Sequence, residues 1–122
     1  FNVVVFTPTP EVGWDVPNYY SKQIMFSSAD RQSEISISHS YQSYLERSRL
    51  FNDMLGSIMS ENLHVYDISK LFCTENTSRC IANIDSNLLY RDDDHLSHFA
   101  ANIVADDFVG FYSELLHSNI NE

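Results

Sequence analysis

The sequence is short of basic residues and has no long hydrophobic run. Seven Lys and Arg stand against seventeen Asp and Glu among 122 residues, which gives a formal charge of -10. A field of that sign repels phosphate backbones and anionic headgroups, so neither nucleic acid nor a membrane surface is an expected partner. No apolar run exceeds six residues, whereas a membrane-spanning helix needs about 20. We expect any anchor or export signal to lie outside this stretch.

Glycine and proline are also scarce, at three residues each, while 43% of the residues are hydrophobic. That composition argues against a disordered or low-complexity chain and is typical of one small globular domain. The sequence starts with Phe1 and runs directly into an apolar segment. We therefore expect it to have been cut from something longer.

Only two cysteines are present, Cys73 and Cys80, in the polar, turn-rich stretch LFCTENTSRC. A zinc site would need two more ligands at suitable spacing, and the sequence does not supply them. Two interpretations remain, a pair of free thiols or a disulfide across a surface loop. We favour the disulfide, which would place the chain in an oxidising compartment.

Two segments have the composition of buried β-strands. FNVVVF (1–6) is an unbroken, β-branched apolar run, typical of a strand covered on both faces of a parallel sheet, and LHVYDI (63–68) is the second. The prolines and glycine of 7–17 predict a loop leaving the first strand. Alternation in SEISISHS (33–40) predicts a short extended segment, and LLY (88–90) predicts another.

Two other segments show the periodicity of amphipathic helices. Apolar residues recur at helical spacing from Tyr41 to Met59, and a serine at position 38 or 40 provides a cap. Ser97 is predicted to cap a last helix, whose apolar stripe runs from Ala100 to Leu116. Both helices are long enough to cover one face of a sheet.

The order of strand, helix, strand, loop and helix predicts an α/β domain with right-handed crossovers. The first strand should lie centrally in a parallel sheet, beside the strand at 63–68. A doubly wound sheet usually has about five or more strands, and this chain supplies two convincing ones. We therefore interpret the chain as the second half of such a domain.

The stretch NLLYRDDDHLSHFAAN (87–102) places three carboxylates beside a histidine, directly before the last predicted helix. In open α/β sheets, ligands bind at the loops outside the carboxyl ends of the strands. Asp92 and His95 are close enough for the carboxylate to orient the imidazole, as in the base half of a nucleophilic triad. A solvated, helix-capping acidic turn is one alternative, and a hard-cation site of Asp92, Asp93 and Asp94 is another.

Four stretches, in order and at matching spacing, resemble the SGNH hydrolase superfamily. They are VVVFTPTPEVGWDVP (3–17), LERSRLFNDML (45–55), HVYDISKLFCTENTSRC (64–80) and LYRDDDHLSHFAA (89–101). The last stretch carries the family's Asp-x-x-His motif. The chain most resembles the SGNH domains fused behind bacterial acyltransferase-3 membrane proteins, which O-acylate cell-surface polysaccharides. The resemblance implies a flavodoxin-like, three-layer αβα fold with a doubly wound, mainly parallel sheet, present here as its C-terminal half over 1–122.

The resemblance also implies roles for the residues of the motif. His95 would be the general base, and Asp92 would fix its tautomer. Asp93 and Asp94 are expected to point to solvent, since a base that extra carboxylates kept protonated could not activate a serine. Ala100 stands where the family commonly has glycine. The nucleophile belongs to a Gly-Asp-Ser block that does not occur in this sequence, so the chain alone should be inactive.

Two residues of the loop after the first strand are further candidates. Trp14 is a candidate platform for the apolar face of a sugar, or a plug that holds the loop on the core. Glu11 is a loop carboxylate that could reach the substrate. Both are candidate substrate-binding residues.

The implied activity is O-acyl transfer, with an O-acetyl group as the type case, at the periplasmic face of a bacterial inner membrane. Its partners would be an acyl donor, a polysaccharide acceptor and a fused membrane-embedded acyltransferase domain. Neither a cofactor nor a metal is expected. Two alternatives remain, a stand-alone SGNH carbohydrate esterase or lipase, and a non-catalytic binding module that keeps the fold.

Overall fold

The structure, a computed structural model, describes residues 1–118 and has the α/β class. A 3-10 turn (Ala29–Glu34) separates the first helix from the second strand. The helices and strands are, in chain order, β1 (Val3–Phe6), α1 (Val16–Phe26), β2 (Ser38–Ser40), α2 (Tyr41–Ile58), β3 (Leu63–Tyr66), α3 (Ser69–Phe72), β4 (Cys73–Thr74), β5 (Arg79–Ile81), β6 (Asn83–Ile84), β7 (Asn87–Leu88) and α4 (His98–Ser118).

The two predicted strands pair in parallel, as expected. β1 lies beside β3 in a register that runs from Val3 opposite Leu63 to Phe6 opposite Tyr66. The other strands are antiparallel, in a three-stranded sheet of order β2-β5-β4 and a β6-β7 hairpin. Among the described residues β1 has no second neighbour, so its central position and the doubly wound sheet stay predictions.

The expectation that β1 is covered on both faces is wrong for the described chain. Val3 remains 42% exposed and Phe6 43% exposed. The faces of a strand are buried by the elements that pack on them, and in residues 1–118 the last helix, α4, packs on the pair of β1 and β3. Phe108 of that helix packs its ring on Phe6 of β1, with centroids 4.9 Å apart, and on Tyr66 of β3, with centroids 5.1 Å apart.

The last helix begins as predicted. The Ala100 backbone N–H donates a hydrogen bond to Ser97 Oγ at 3.1 Å, which satisfies one of the free donors of the first turn. The Ser97 hydroxyl itself donates to the Leu88 carbonyl at 2.7 Å. Ser97 therefore joins α4 to the hairpin before it. In the part of the chain described here, no helix has both the length and the apolar character needed to cross a membrane.

A helix follows β1 where we predicted loop, so that prediction was wrong at its end. The loop stops at Asp15, whose carboxylate caps α1 by accepting the Asn18 N–H at 2.7 Å. Pro17 lies in the first turn, where its missing N–H costs nothing. Periodicity did not reveal α1 because Val16 is its only buried residue.

The two cysteines form a disulfide, so the free-thiol interpretation was wrong. Cys73 and Cys80 lie directly opposite each other on β4 and β5, with Cα atoms 4.0 Å apart. That separation is below the usual lower bound of about 4.4 Å for a disulfide and below the about 4.5 Å of the closer antiparallel pairs. The bridge ties the ends of the hairpin that leads from α3 into β5.

Candidate active site

The turn before α4 is folded by Asp92. Its Oδ1 accepts the backbone N–H of Asp94 at 3.1 Å and of His95 at 2.7 Å. The base of the turn is closed by the Arg91 N–H, which donates to the His95 carbonyl at 3.0 Å. Short acidic side chains favour such turns because they accept N–H groups two and three residues ahead. One aspartate thus sets the backbone position of the histidine.

The second oxygen of Asp92 faces the imidazole. Asp92 Oδ2 lies 2.9 Å from His95 Nδ1. The backbone N–H of His95 lowers the pKa of Asp92 to about 2, with help from the Asp94 N–H and the His95 ring. An ionised carboxylate accepts a hydrogen bond, so in the neutral ring Nδ1 carries the proton and Nε2 has the lone pair. The His95 side chain is 59% exposed, and within residues 1–118 Nε2 has no partner.

Asp94 does not point to solvent as expected. Its Oδ1 lies 2.7 Å from His95 Nδ1, so two carboxylates lie beside one ring nitrogen, and Asp92 makes the hydrogen bond to it. The turn that Asp92 forms brings the side chain of Asp94 back toward the ring. The run of three aspartates was the only signal for this contact in the sequence. Asp93, by contrast, is exposed, and its contact with the rest of the chain is through its carbonyl.

The two carboxylates beside the ring and the ring itself are also the candidates for holding a cation. Ligand atoms of Asp92, Asp94 and His95 lie within 4.8 Å of one another. This set differs from the three aspartates considered above, since His95 replaces Asp93. A metal on Nδ1 would displace the proton that Asp92 orients. The neutral ring would then carry its proton on Nε2, so a metal on Nδ1 and a base at Nε2 exclude each other.

The loop after β1 docks on this turn, as the position of strand ends predicted. The Val12 N–H donates to the Asp93 carbonyl at 3.0 Å, and the Val16 N–H donates to the Asp92 carbonyl at 3.4 Å. The buried Tyr90 hydroxyl donates to the Pro10 carbonyl at 2.6 Å. The loop and the turn consequently form one surface, although they are about eighty residues apart in the sequence.

Neither loop candidate contacts His95. The Glu11 carbonyl accepts a hydrogen bond from Arg47 at 3.0 Å, and its carboxylate forms no ion pair within the described residues. The Trp14 ring packs on Tyr19, with centroids 4.7 Å apart, and is partly buried against the core. Their substrate-binding roles stay predictions.

The α/β domain thus holds a histidine against an aspartate in the turn before its last helix, the pair that orients the base in nucleophilic triads. The model of one family, the SGNH domain (fused to AT3 domains), matches residues 1–110, and the chain belongs to that family. Searches of curated proteins and of solved structures give no match. The family places the chain among SGNH domains associated with acyltransferases, which confirms the resemblance described above.

Proposed function

We propose that this chain supplies the Asp-His part of a Ser-His-Asp site in an O-acyltransferase that modifies a bacterial cell-surface polysaccharide. One observation carries the proposal: a fixed turn holds His95 Nδ1 against Asp92 Oδ2 at 2.9 Å. This contact leaves Nε2 outward and able to accept a proton. Family membership supplies the acyltransferase association.

In this mechanism His95 handles two protons. Nε2 takes the hydroxyl proton of a serine as its oxygen attacks the acyl carbon of the donor, and returns that proton to the leaving group as an ester forms. Nε2 then takes the proton of a sugar hydroxyl, which attacks the ester. The serine oxygen leaves and regains a proton from the ring. Asp92 holds the proton on Nδ1 throughout and stabilises the imidazolium.

The serine would come from another segment of the same domain. We propose that residues 1–122 are the C-terminal portion of a single SGNH domain, whose N-terminal portion carries the Gly-Asp-Ser block. The exposed side chains of Val3 and Phe6 on β1 support this, since a β-branched strand with one neighbour leaves apolar surface for further elements to cover. Trp14 and Glu11 are then candidates for contacting substrate beside the completed site.

The cellular setting follows from the same assignment. A fused, membrane-embedded acyltransferase domain would deliver the acyl group to the periplasmic face of the inner membrane. The disulfide between Cys73 and Cys80 supports an oxidising compartment of this kind. The acyl donor and the polysaccharide acceptor are the proposed partners.

The test is acyl transfer by the full-length protein, measured in a single turnover from a labelled donor to the polysaccharide. His95→Ala should lower the rate by about 10²–10⁴, the usual contribution of a general base. His98→Ala is the matched control, because His98 is an exposed histidine at the start of α4 and is not part of the Asp92–His95 turn. A fully active His95→Ala variant would end the triad assignment.

The same assay separates the alternatives. Release of free acid without labelling of the glycan would indicate an esterase with water as acceptor. Glycan binding by a wild-type protein that neither labels nor hydrolyses would indicate a non-catalytic module.

A further inference from the structure

The loop that contacts the Asp92–His95 turn also lines a second, polar cavity. This cavity has a volume of about 380 Å³ and lies between the loop, β2, the start of α2 and β5. Its aromatic and polar lining includes Trp14, Ser38, His39, Ser40, Arg47 and Arg79. None of these residues belongs to the catalytic assignment above, apart from the substrate role proposed for Trp14.

Two guanidinium groups in the cavity lack an acidic partner. Arg47 Nη1 donates to the Glu11 carbonyl at 3.0 Å, while Arg79 donates from Nε to Ser38 Oγ at 2.9 Å and from Nη2 to the Ser38 carbonyl at 2.6 Å. These acceptors are neutral, and within residues 1–118 neither arginine forms an ion pair. In a chain with a formal charge of -10, two unpaired cations in one cavity favour an anionic ligand.

The loop makes room for one of these cations. Gly13 has a φ of +84°, and a Cβ atom there would lie 3.0 Å from Arg47 Nη2. The left-handed backbone and the close approach both favour glycine at this position. Arg47 is therefore seated against the loop, where Nη2 is left with no hydrogen-bond acceptor in the described chain.

His39 adds an unpaired acceptor. Only 7% of the residue is exposed, and Nε2 is buried without a hydrogen-bond partner. The Pro10 carbonyl favours a proton on the ring, and because Nε2 has no partner we assign that proton to Nδ1. Burial, followed by the charges of Arg47 and Arg79, lowers the pKa of His39 to about 4, so the ring is neutral at pH 7. A neutral ring with its proton on Nδ1 needs a donor, such as a hydroxyl, at Nε2.

We propose that this cavity binds an acidic sugar of the acceptor polysaccharide. The carboxylate pairs with Arg47 and Arg79, a ring hydroxyl donates to His39 Nε2, and the apolar face of the sugar lies against Trp14. The inference rests on the proposed function and deepens it, because it names the class of glycan that the active-site loop would present. A phosphate group is also an anion that two arginines can bind, and the test below separates the two sources.

The probes are D-glucuronate, D-glucose and inorganic phosphate. Saturation-transfer NMR on the full-length protein measures binding of each sugar, and phosphate is added as a competitor. Glucuronate should bind, and glucose, which has the hydroxyls without the carboxylate, should bind at least about tenfold more weakly, the value of one charge-assisted hydrogen bond. Arg47→Gln and Arg79→Gln should each weaken glucuronate binding by about the same factor.

Arg49→Gln is the matched control, since it removes the same charge from the same helix outside the cavity. It should leave glucuronate binding unchanged. His39→Gln tests the proposed acceptor of the sugar hydroxyl, provided that thermal melting shows that this variant is folded. If it does not fold, the two arginine variants alone decide the test. Equal binding of glucose and glucuronate, or full binding by both arginine variants, would overturn the inference.

If phosphate displaces bound glucuronate at a phosphate concentration below that of glucuronate, the sugar assignment is overturned and the cavity is assigned to a phosphoryl group. His95→Ala keeps this test independent of the catalytic proposal. That variant should lose acyl transfer and retain glucuronate binding. If His95→Ala loses acyl transfer but the wild-type protein does not bind glucuronate, the cavity inference is refuted and the catalytic proposal is not.

Discussion

Asp92→Asn is the sharpest test of the active-site turn, because the substitution changes one function of the side chain and spares another. The amide oxygen of asparagine can still accept the two backbone N–H groups that Asp92 Oδ1 accepts at 3.1 and 2.7 Å. The turn should therefore remain folded. The amide nitrogen then faces His95 Nδ1 as a donor, which moves the ring proton to Nε2 and removes the base.

The magnitude depends on Asp94. A base in the wrong tautomer forfeits most of its contribution of about 10²–10⁴. Asp94 Oδ1 lies 2.7 Å from the same nitrogen and can hold part of the population in the active tautomer. Within residues 1–118 no backbone N–H donates to the Asp94 carboxylate, whereas two donate to Asp92. We expect a loss of about 10²–10³ for Asp92→Asn, less than tenfold for Asp94→Asn, and about 10⁴ for the double variant.

The assay is single-turnover acyl transfer by the full-length protein, with thermal melting of each variant to show that it is folded. Asp93→Asn is the matched control, because it removes the same charge from an exposed neighbour and should change the rate by less than about twofold. Equal losses at all three aspartates would refute tautomer control and indicate a metal or a general electrostatic role. A fully active Asp92→Asn variant would refute it as well.

Two further predictions concern stability. Replacing Cys73 and Cys80 with serine should lower the free energy of unfolding by about 2.5 kcal/mol, because the disulfide closes a short ring and restricts the unfolded chain. Denaturant unfolding of both proteins measures this difference. An unchanged midpoint would contradict the disulfide. The pKa of His39 is lowered from 6.5 in the unfolded chain to about 4 in the folded chain. Between these two values the unfolded chain binds a proton and the folded chain does not. The free energy of unfolding should therefore be highest above pH 6.5 and should decrease as the pH falls to 4. Melts at stepped pH should show a decline of up to about 3 kcal/mol across that window, and His39→Gln should remove it; an equal decline in that variant would assign it to other groups.

Part of the candidate site was readable from the sequence because it is local. Asp92 and His95 are three residues apart, and an aspartate that accepts N–H groups two and three residues ahead forms the turn by itself. The second contact, from Asp94, was not readable. Neighbouring side chains in a turn can point either way, and the backbone angles of the turn decide which.

The sequence by itself determined the features that depend on few neighbouring residues. These are the extended conformation of β1 and β3, the lengths of α2 and α4, the N-cap at Ser97 and membership of the family. Periodicity, capping and motif spacing act within a few turns of chain, so they are visible before folding.

Only the tertiary structure decided which distant groups meet. Alternation in residues 33–40 predicted a short extended segment, but it indicated neither the burial of His39 nor its approach to Arg47 and Arg79. Those arginines approach His39 through the antiparallel pairing of β2 with β5 and through the contact of α2 with the loop after β1. Such long-range contacts depend on how whole elements pack, and no short stretch of sequence encodes that packing.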